Sequence, residues 1–285
     1  MFDLHTHSTA SDGTLSPAAL VDRAADAGLT ALALTDHDTL AGIDAARARA
    51  AGRGLRFLAG IELSCIAAAG ADVHILGYGI ADDSGPLLRL CSSMRVARAA
   101  RAQRILAQLV AAGAPLALAA VQVHAQDAAI GRPHIARALV DAGFAPNLKH
   151  AFERWLVPGA PGFVPLQRLA AADAIGLIQA AGGVAVLAHP GALHFSTAAL
   201  SRLLAELRRL GLSGLEVYWS QHRPLEVRTF EFLASVHGLF ATGGSDFHGA
   251  NKPDIELGRL AGGKILDPTL LDRLDPSAHL ASGRA

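Results

Sequence analysis

Histidines and carboxylates at short, repeated spacings are the residues of this sequence that could do chemistry. His5 and His7 are two positions apart, so on an extended backbone both imidazoles point to the same side and reach one point. Similar residues recur further along the chain, and together they form one set of candidate metal ligands. The set consists of His5, His7, Asp12, His37, Glu62, His74, His189, Asp246 and His248.

A divalent metal centre explains this combination of residue types. Without a ligand, clustered buried carboxylates would repel one another and buried imidazoles would lack partners. Nitrogen and oxygen donors without sulfur suit manganese, zinc or iron. Six imidazoles and three carboxylates exceed what one ion can use. We therefore expect two or three divalent ions, with Mn²⁺ as the first expectation and Zn²⁺ or Fe²⁺ as alternatives.

Alternating apolar runs and helix-length segments predict the elements that position these residues. The alternation is typical of an α/β fold with parallel strands joined by right-handed crossovers. Each candidate ligand lies at or near the C-terminal end of a predicted strand, and in a barrel those ends converge on one face. Gly28 and Gly52 are placed where two of the helices should end. Seven strands are predicted, at 2–5, 31–35, 56–61, 73–78, 184–188, 215–218 and 239–242.

Residues 83–170 interrupt this alternation. They contain helical patterns at 87–112, 135–142 and 148–156 but no convincing strand, and they carry 10 Lys and Arg against 4 Asp and Glu. The rest of the chain carries 15 against 21. We therefore predict a metal-binding barrel made of 1–82 and 171–285, and a helical insertion at 83–170 that forms a cap over the substrate.

Composition excludes several classes of protein. Lys plus Arg equals Asp plus Glu at 25 each, so no overall charge attracts nucleic acid or a membrane. Two cysteines are too few for a disulfide framework. The stretch 176–202 has no charged residue before Arg202 but contains glycines and histidines, which favours a buried helix and strand over a membrane span. No targeting signal is visible, so we expect a cytoplasmic protein.

The ordered ligand set resembles that of the PHP (polymerase and histidinol phosphatase) metal-dependent phosphoesterases. The resemblance covers residues 1–80 and about 184–250, and no ligand type is missing. It implies a distorted seven-stranded (β/α)7 barrel with a multinuclear metal site at its open face. The segment Gly131-Arg132-Pro133-His134 resembles the small stand-alone branch of that family. Members of this branch act on nucleoside 3′,5′-bisphosphates, and some also trim short RNA from its 5′ end.

The resemblance implies a phosphatase that hydrolyses a phosphomonoester of nucleoside 3′,5′-bisphosphates, such as adenosine 3′,5′-bisphosphate to AMP and phosphate, by attack of metal-activated hydroxide. Arg132 offers a two-pronged donor for the phosphate that is not cleaved. His134 is expected to contact phosphate or to protonate the leaving group. His194 is a further catalytic candidate, Lys252 a further substrate-binding candidate, and Asp246 is assigned to catalysis as well as to metal.

Charged residues and histidines outside the ligand set are expected to have supporting, surface or structural roles. Asp36 and Asp38 are expected to orient neighbouring histidines. The arginines spaced along 95–104 favour a solvated helix face, with a phosphate-attracting surface as the alternative. Surface or structural roles are expected for the remaining histidines, which are His124, His150, His222, His237 and His279.

Three other functions stay open beside the bisphosphatase. They are a 5′-3′ exoribonuclease acting on short RNA, a histidinol-phosphate phosphatase, and a non-enzymatic structural PHP module. The bisphosphatase and the exoribonuclease need the same ions. They differ in whether the pocket is closed beyond the first nucleotide. The expected partner is a small nucleotide, with short RNA as an open alternative; long nucleic acid and membranes are not expected.

Overall fold

The computed structural model describes residues 1–166 and 168–275, and within them eight strands form one mixed sheet. The strands are β1 (Phe2–Asp3), β2 (Ala31–Leu34), β3 (Arg56–Ile66), β4 (Asp72–Tyr78), β5 (Leu169–Ala170), β6 (Val184–Leu187), β7 (Gly214–Glu216) and β8 (Phe240–Thr242). Seven are hydrogen-bonded in the order β1-β2-β3-β4-β6-β7-β8, and the two-residue β5 pairs with β3. An isolated parallel bridge between Thr6 and Phe247 connects the segments that follow β1 and β8. The predicted seven-stranded barrel is thus confirmed.

The expectation of parallel strands throughout is wrong for β4, which runs antiparallel to both β3 and β6. The connection between β3 and β4 contains only the short 3₁₀ turn Ala68–Gly70, whereas a parallel crossover needs a dozen or more residues. This reversal brings the N-terminal part of β4, which carries His74, to the edge where the other strands have their C-terminal ends. The antiparallel strand therefore helps to assemble the site.

Helices cover the sheet, and their ends follow local sequence signals. The Ser16 side chain accepts a hydrogen bond from the Ala19 N–H at the start of the first helix. Gly28 follows that helix with φ of 76°, but the second helix continues past Gly52 and ends at Gly54, with φ of 63°. The helices are α1 (Pro17–Asp26), α2 (Ile43–Arg53), α3 (Gly85–Ala111), α4 (Leu118–Ala125), α5 (Arg132–Asp141), α6 (Leu148–Ala151), α7 (Ala171–Ala180), α8 (Thr197–Arg209), α9 (Pro224–Val236) and α10 (Thr269–Leu274).

Two clusters of buried apolar side chains stabilise the fold. The larger lies between the sheet and the helices around it. The smaller consists of side chains from 102–164, within the predicted insertion. The long helix α3 contributes Leu87 to the first cluster and Leu109 to the second, so it connects them. Strand β5 lies at the end of the interval 83–170, where no strand was expected, and the boundaries of that insertion stay a prediction.

The stretch 176–202 forms the end of α7, strand β6, a 3₁₀ turn at Pro190–Leu193 and the start of α8. None of the helices within the described ranges is long and apolar enough to cross a membrane. Residues 276–285 of the predicted barrel, among them His279, lie outside the described residues.

Candidate metal centre

All nine candidate ligands lie together at the edge of the sheet where β1, β2, β6 and β8 end. Their donor atoms form four overlapping groups in which every atom lies within 4.8 Å of the others. We call these nine residues the candidate metal centre. The groups are His7, Asp12, His37 and His248; His5, Glu62 and His189; His5, His7 and Asp246; and His37, Glu62 and His74.

The backbone after β1 aims His5 and His7 in the same direction. Between them, the Thr6 hydroxyl donates to the Ala33 carbonyl at 2.7 Å, so this side chain points toward β2. The His7 N–H donates to the Phe247 carbonyl at 2.9 Å. The alternation expected of an extended segment therefore places both imidazoles on the inner side.

Glu62 lies at the middle of the candidate metal centre. Its Oε2 is 3.2 Å from Nε2 of His5, 3.2 Å from Nε2 of His7 and 3.0 Å from Nδ1 of His37. Its Oε1 is 2.7 Å from Nδ1 of His74 and 2.9 Å from Nε2 of His189. One fully buried carboxylate thus faces five imidazoles from four segments, which suits a group that would help to hold metal ions.

Asp12, His248 and Asp246 complete the other side. Asp12 Oδ1 is 3.3 Å from Nε2 of His248, and Asp246 Oδ1 is 3.4 Å from Nε2 of His7. Asp246 adopts φ of 59°, a left-handed conformation that is unusual for a non-glycine residue, and its N–H donates to the His5 carbonyl at 2.8 Å. Such strain is found where surrounding structure fixes a functional side chain.

The donor set fits divalent metal. Several ring nitrogens are buried and form no hydrogen bond within the described structure, among them Nε2 of His5, both nitrogens of His7 and Nδ1 of His37. Oε2 of Glu62 is buried and also forms no hydrogen bond. Buried polar atoms are normally satisfied, so this concentration of free donor atoms fits a site for a shared ligand. Metal ions would supply it.

Burial and the close approach of charged neighbours shift the pKa values of several candidate ligands. Burial opposes protonation of His7, but Asp246 and Glu62 outweigh it and raise the pKa of His7 to about 9. Burial holds the pKa of His37 well below its ordinary value despite the nearby Glu62 and Asp12. Although burial favours its neutral form, the imidazoles of His37 and His5 hold the pKa of Glu62 well below the ordinary value. The carboxylates around His7 therefore favour a positive charge at this position.

The sequence did not reveal the side chains that support these ligands. Glu216, which is fully buried at the end of β7, bonds to Nδ1 of His5 at 2.9 Å and accepts from the His189 N–H at 2.7 Å. Trp219 Nε1 donates to Asp246 Oδ2 at 3.3 Å. The available signal for Glu216 was a carboxylate inside the short apolar strand predicted at 215–218.

Asp36 and Asp38 were expected to orient histidines, but their hydrogen bonds and ion pairs are with other residues. Asp36 accepts from the backbone N–H and hydroxyl of Ser8, at 2.8 and 2.6 Å, and fixes the loop that leads to Asp12. Asp38 accepts from the Ser64 N–H at 2.9 Å and pairs with Arg98. Both residues therefore support the site through loops and an arginine.

Of the residues predicted to bind substrate or transfer protons, Lys252 lies at the candidate metal centre and His194 lies away from it. Nζ of Lys252 donates to Asp246 Oδ2 at 2.6 Å. The turn after His189 carries His194 away, and it lies exposed in a groove lined by Phe195 and Arg223. This placement does not support a catalytic role for His194.

His134 is buried, and backbone groups engage its ring. Nδ1 accepts from the Gly131 N–H at 3.1 Å, and the ring also hydrogen-bonds to the Ser11 backbone. These contacts connect the start of α5 to the loop of Asp12. They do not support the predicted role of His134 as a proton donor or phosphate ligand.

Arg132 belongs to a group of four arginines that we call the arginine cluster: Arg98, Arg101, Arg132 and Arg168. Burial, followed by repulsion from the other three, lowers the pKa of Arg101 to about 10. Burial and repulsion from Arg168 and Arg98 also lower the pKa of Arg132. Arg98 lines a 20 Å³ cavity together with Asp12 and His37, so the arginine cluster adjoins the candidate metal centre.

A larger groove of about 910 Å³ begins at His37 and runs between α2 and α3. Its lining carries five carboxylates but only three arginines, and two of the arginines are paired with aspartates. The charged residues are Asp38, Asp44, Asp82, Asp83 and Asp127 with Arg47, Arg95 and Arg98.

Comparisons with known proteins agree with this geometry. The sequence model of the PHP domain matches residues 3–141. The chain is 39% identical over 257 residues to a 3′,5′-nucleoside bisphosphate phosphatase of Chromobacterium violaceum, which covers 90% of each protein. It is 40% identical over 262 residues to the 5′-3′ exoribonuclease Rnm of Escherichia coli, covering 91% of this chain and 88% of that one. A solved structure of a predicted metal-dependent phosphoesterase from Bifidobacterium adolescentis is similar, with a TM-score of 0.87 and 31% identity over 96% of this chain and 94% of that chain.

Proposed function

The chain belongs to the PHP domain family, and from this premise we propose that it is a metal-dependent phosphatase that removes one phosphate from nucleoside 3′,5′-bisphosphates. One observation carries the proposal: a buried centre of nine ligands adjoins a partly buried arginine cluster. The first can act on one phosphoryl group while the second binds another. A substrate with two phosphates on one nucleoside matches this pair of sites.

Two or three divalent ions, Mn²⁺ first and Zn²⁺ or Fe²⁺ as alternatives, would activate water and neutralise phosphoryl charge when bound. The nine ligands of the candidate metal centre would hold them. Lys252 stays protonated because Asp246 outweighs the effect of burial and raises its pKa. Its ammonium, beside Asp246, is placed to orient an oxygen of the phosphate that is cleaved.

The arginine cluster supplies the second phosphate site. Arg98 forms a salt bridge with Asp38 and Arg168 with Asp72, whereas Arg101 and Arg132 form none among the described residues. Arg132 donates to the Leu156 carbonyl at 3.3 Å, which leaves further N–H groups of its guanidinium for a ligand. Like charges gathered in a partly buried place are unfavourable, and a bound phosphate would offset their repulsion.

The charges of the large groove favour a nucleotide over a longer RNA as the substrate. A chain of phosphates that continued from the candidate metal centre along this groove would pass five carboxylates. A single nucleoside avoids that repulsion. The volume of about 910 Å³ and the similarity to the Escherichia coli exoribonuclease keep 5′-3′ cleavage of short RNA as the second candidate function.

The other two alternatives have less support. Histidinol phosphate carries one phosphate and a cationic amine, and arginines without carboxylate partners would repel that amine. A structural module does not need a complete ligand set, whereas all nine ligands are present and converge here.

Substitution of ligands tests the proposal. His7→Ala and Asp246→Ala are expected to abolish phosphate release from adenosine 3′,5′-bisphosphate and to lower the bound Mn²⁺, because each removes a donor from the candidate metal centre. His194→Ala is the matched control, since this exposed histidine should leave both quantities unchanged. Full activity of the protein after treatment with a chelator, or of either ligand variant, would contradict the proposal.

A further inference from the structure

Glu216 is a buried carboxylate that belongs to none of the four ligand groups, yet it contacts two residues of the candidate metal centre. Its side chain is fully buried, so its charge needs partners. Both carboxylate oxygens have one: Oε1 lies 2.9 Å from Nδ1 of His5, and Oε2 accepts from the His189 N–H at 2.7 Å.

The first contact determines which nitrogen of His5 is available. A carboxylate oxygen can only accept, so Nδ1 of His5 donates to Glu216, and Nε2 is the nitrogen left to bind a metal ion. Nε2 is buried, forms no hydrogen bond, and lies 3.2 Å from Glu62 Oε2 and 3.7 Å from Asp246 Oδ1. His5 belongs to two of the ligand groups, so its orientation affects more than one metal position.

The second contact holds a strained backbone. His189 has φ of 23°, a conformation that side-chain-bearing residues rarely adopt. Its N–H is bound by Glu216, and two residues later the Gly191 N–H donates to Nε2 of His222 at 3.1 Å. These bonds fix the turn after β6 so that Nε2 of His189 lies 2.9 Å from Glu62.

We propose that Glu216 is a positioning residue that fixes His5 and His189 for metal binding without itself being a ligand. From β7 it couples the loop after β1 to the loop after β6. The proposal rests on the proposed metal centre but not on the identity of the substrate. Partners of this kind, which orient a ligand through a hydrogen bond, typically change metal affinity 10- to 100-fold when removed.

The test is Mn²⁺ binding to Glu216→Gln after the metal has been stripped. A glutamine amide can accept from only one of the two N–H groups and presents a donor to the other. The apparent Kd for Mn²⁺ should rise about 10- to 100-fold, and the Mn²⁺-induced rise in Tm should shrink accordingly. Phosphatase activity should recover at high Mn²⁺ concentration. Glu231→Gln, an exposed carboxylate bonded to Tyr218, is the control and should change none of these.

An unchanged Kd in folded Glu216→Gln would overturn the proposal. A lower number of bound ions that excess Mn²⁺ does not restore would also overturn it, since that would make Glu216 a ligand. A structure of the wild-type protein with Mn²⁺ bound gives an answer that does not depend on the variant folding. Nε2 of His5 should coordinate the metal while Glu216 keeps its contact with Nδ1, and coordination by a Glu216 oxygen would refute the assignment. Binding is measured without substrate, so failure here is distinct from failure of the proposed function.

Discussion

Arg132→Ala is predicted to weaken catalysis on a bisphosphate much more than on a monophosphate. Arg132 is half-buried and forms no salt bridge with a described carboxylate, and only Asp72 partly offsets the repulsion from its neighbouring arginines. A substrate phosphate would therefore be its main anionic partner. A hydrogen bond to a charged group contributes about 1.5–3 kcal/mol. Loss of one such contact corresponds to a fall of roughly 10- to 150-fold in kcat/KM for adenosine 3′,5′-bisphosphate. For adenosine 3′-monophosphate, which lacks the second phosphate, we expect less than about threefold.

The assay is phosphate release from both substrates by the Mn²⁺-reconstituted protein. Arg132 also donates to the Leu156 carbonyl, so its removal should cost about 1 kcal/mol of stability, or roughly 2–4 °C in Tm. Arg104→Ala, at an exposed position of α3, serves as the matched control and should change neither substrate's kinetics. Equal losses on the two substrates would refute the reasoning, because Arg132 would then bind the cleaved phosphate or support the fold.

Three further predictions concern protons, salt and packing. Because folding raises the pKa of His7, protonation of His7 stabilises the folded, metal-free protein. The effect is complete at a pH below the pKa of His7 in the unfolded chain and is lost as pH rises through about 9. Metal must displace that proton, so Mn²⁺ affinity should increase with pH up to about 9. Calorimetry in buffers of different ionisation enthalpy should detect the released proton. A Mn²⁺ affinity that does not depend on pH would contradict this prediction. The kcat/KM for the bisphosphate should fall about tenfold or less between low and physiological salt, and a fall of 10³ would indicate a chain of bound phosphates. Gly244→Ala should lower Tm and bound Mn²⁺, because its Cβ would lie 2.2 Å from the His5 Cβ. The control Gly52→Ala has open space around it and should be neutral or stabilising. Equal Tm values for the two variants would contradict this prediction.

The strands and the ligands could be predicted because their signals are local. Short apolar runs mark the buried strands, and chemically distinctive residues follow them at the strand ends. The antiparallel direction of β4 could not be read in the same way, because an apolar run has no direction. The short 3₁₀ connection at Ala68–Gly70 imposes that direction, and only the fold shows that it brings His74 to the correct edge.

The supporting residues depend on tertiary contacts between distant segments. Glu216 is separated by 211 positions from His5, and nothing near it in the sequence indicates that contact. The arginine cluster combines two residues of α3 with one at the start of α5 and one before β5. His134 was predicted from its neighbours in sequence to touch phosphate, whereas folding buries its ring against the Gly131 and Ser11 backbone.

Direct competition between substrates tests the central claim most directly. The Mn²⁺-reconstituted protein should be given adenosine 3′,5′-bisphosphate together with 5′-phosphorylated RNAs of increasing length, and kcat/KM measured for each. If the arginine cluster binds one further phosphate as proposed, the bisphosphate should be the best substrate. Added nucleotides should bring no gain, because the large groove carries more carboxylates than arginines. A kcat/KM that exceeds that of the bisphosphate and rises with each added nucleotide would contradict the account and identify the protein as an exoribonuclease.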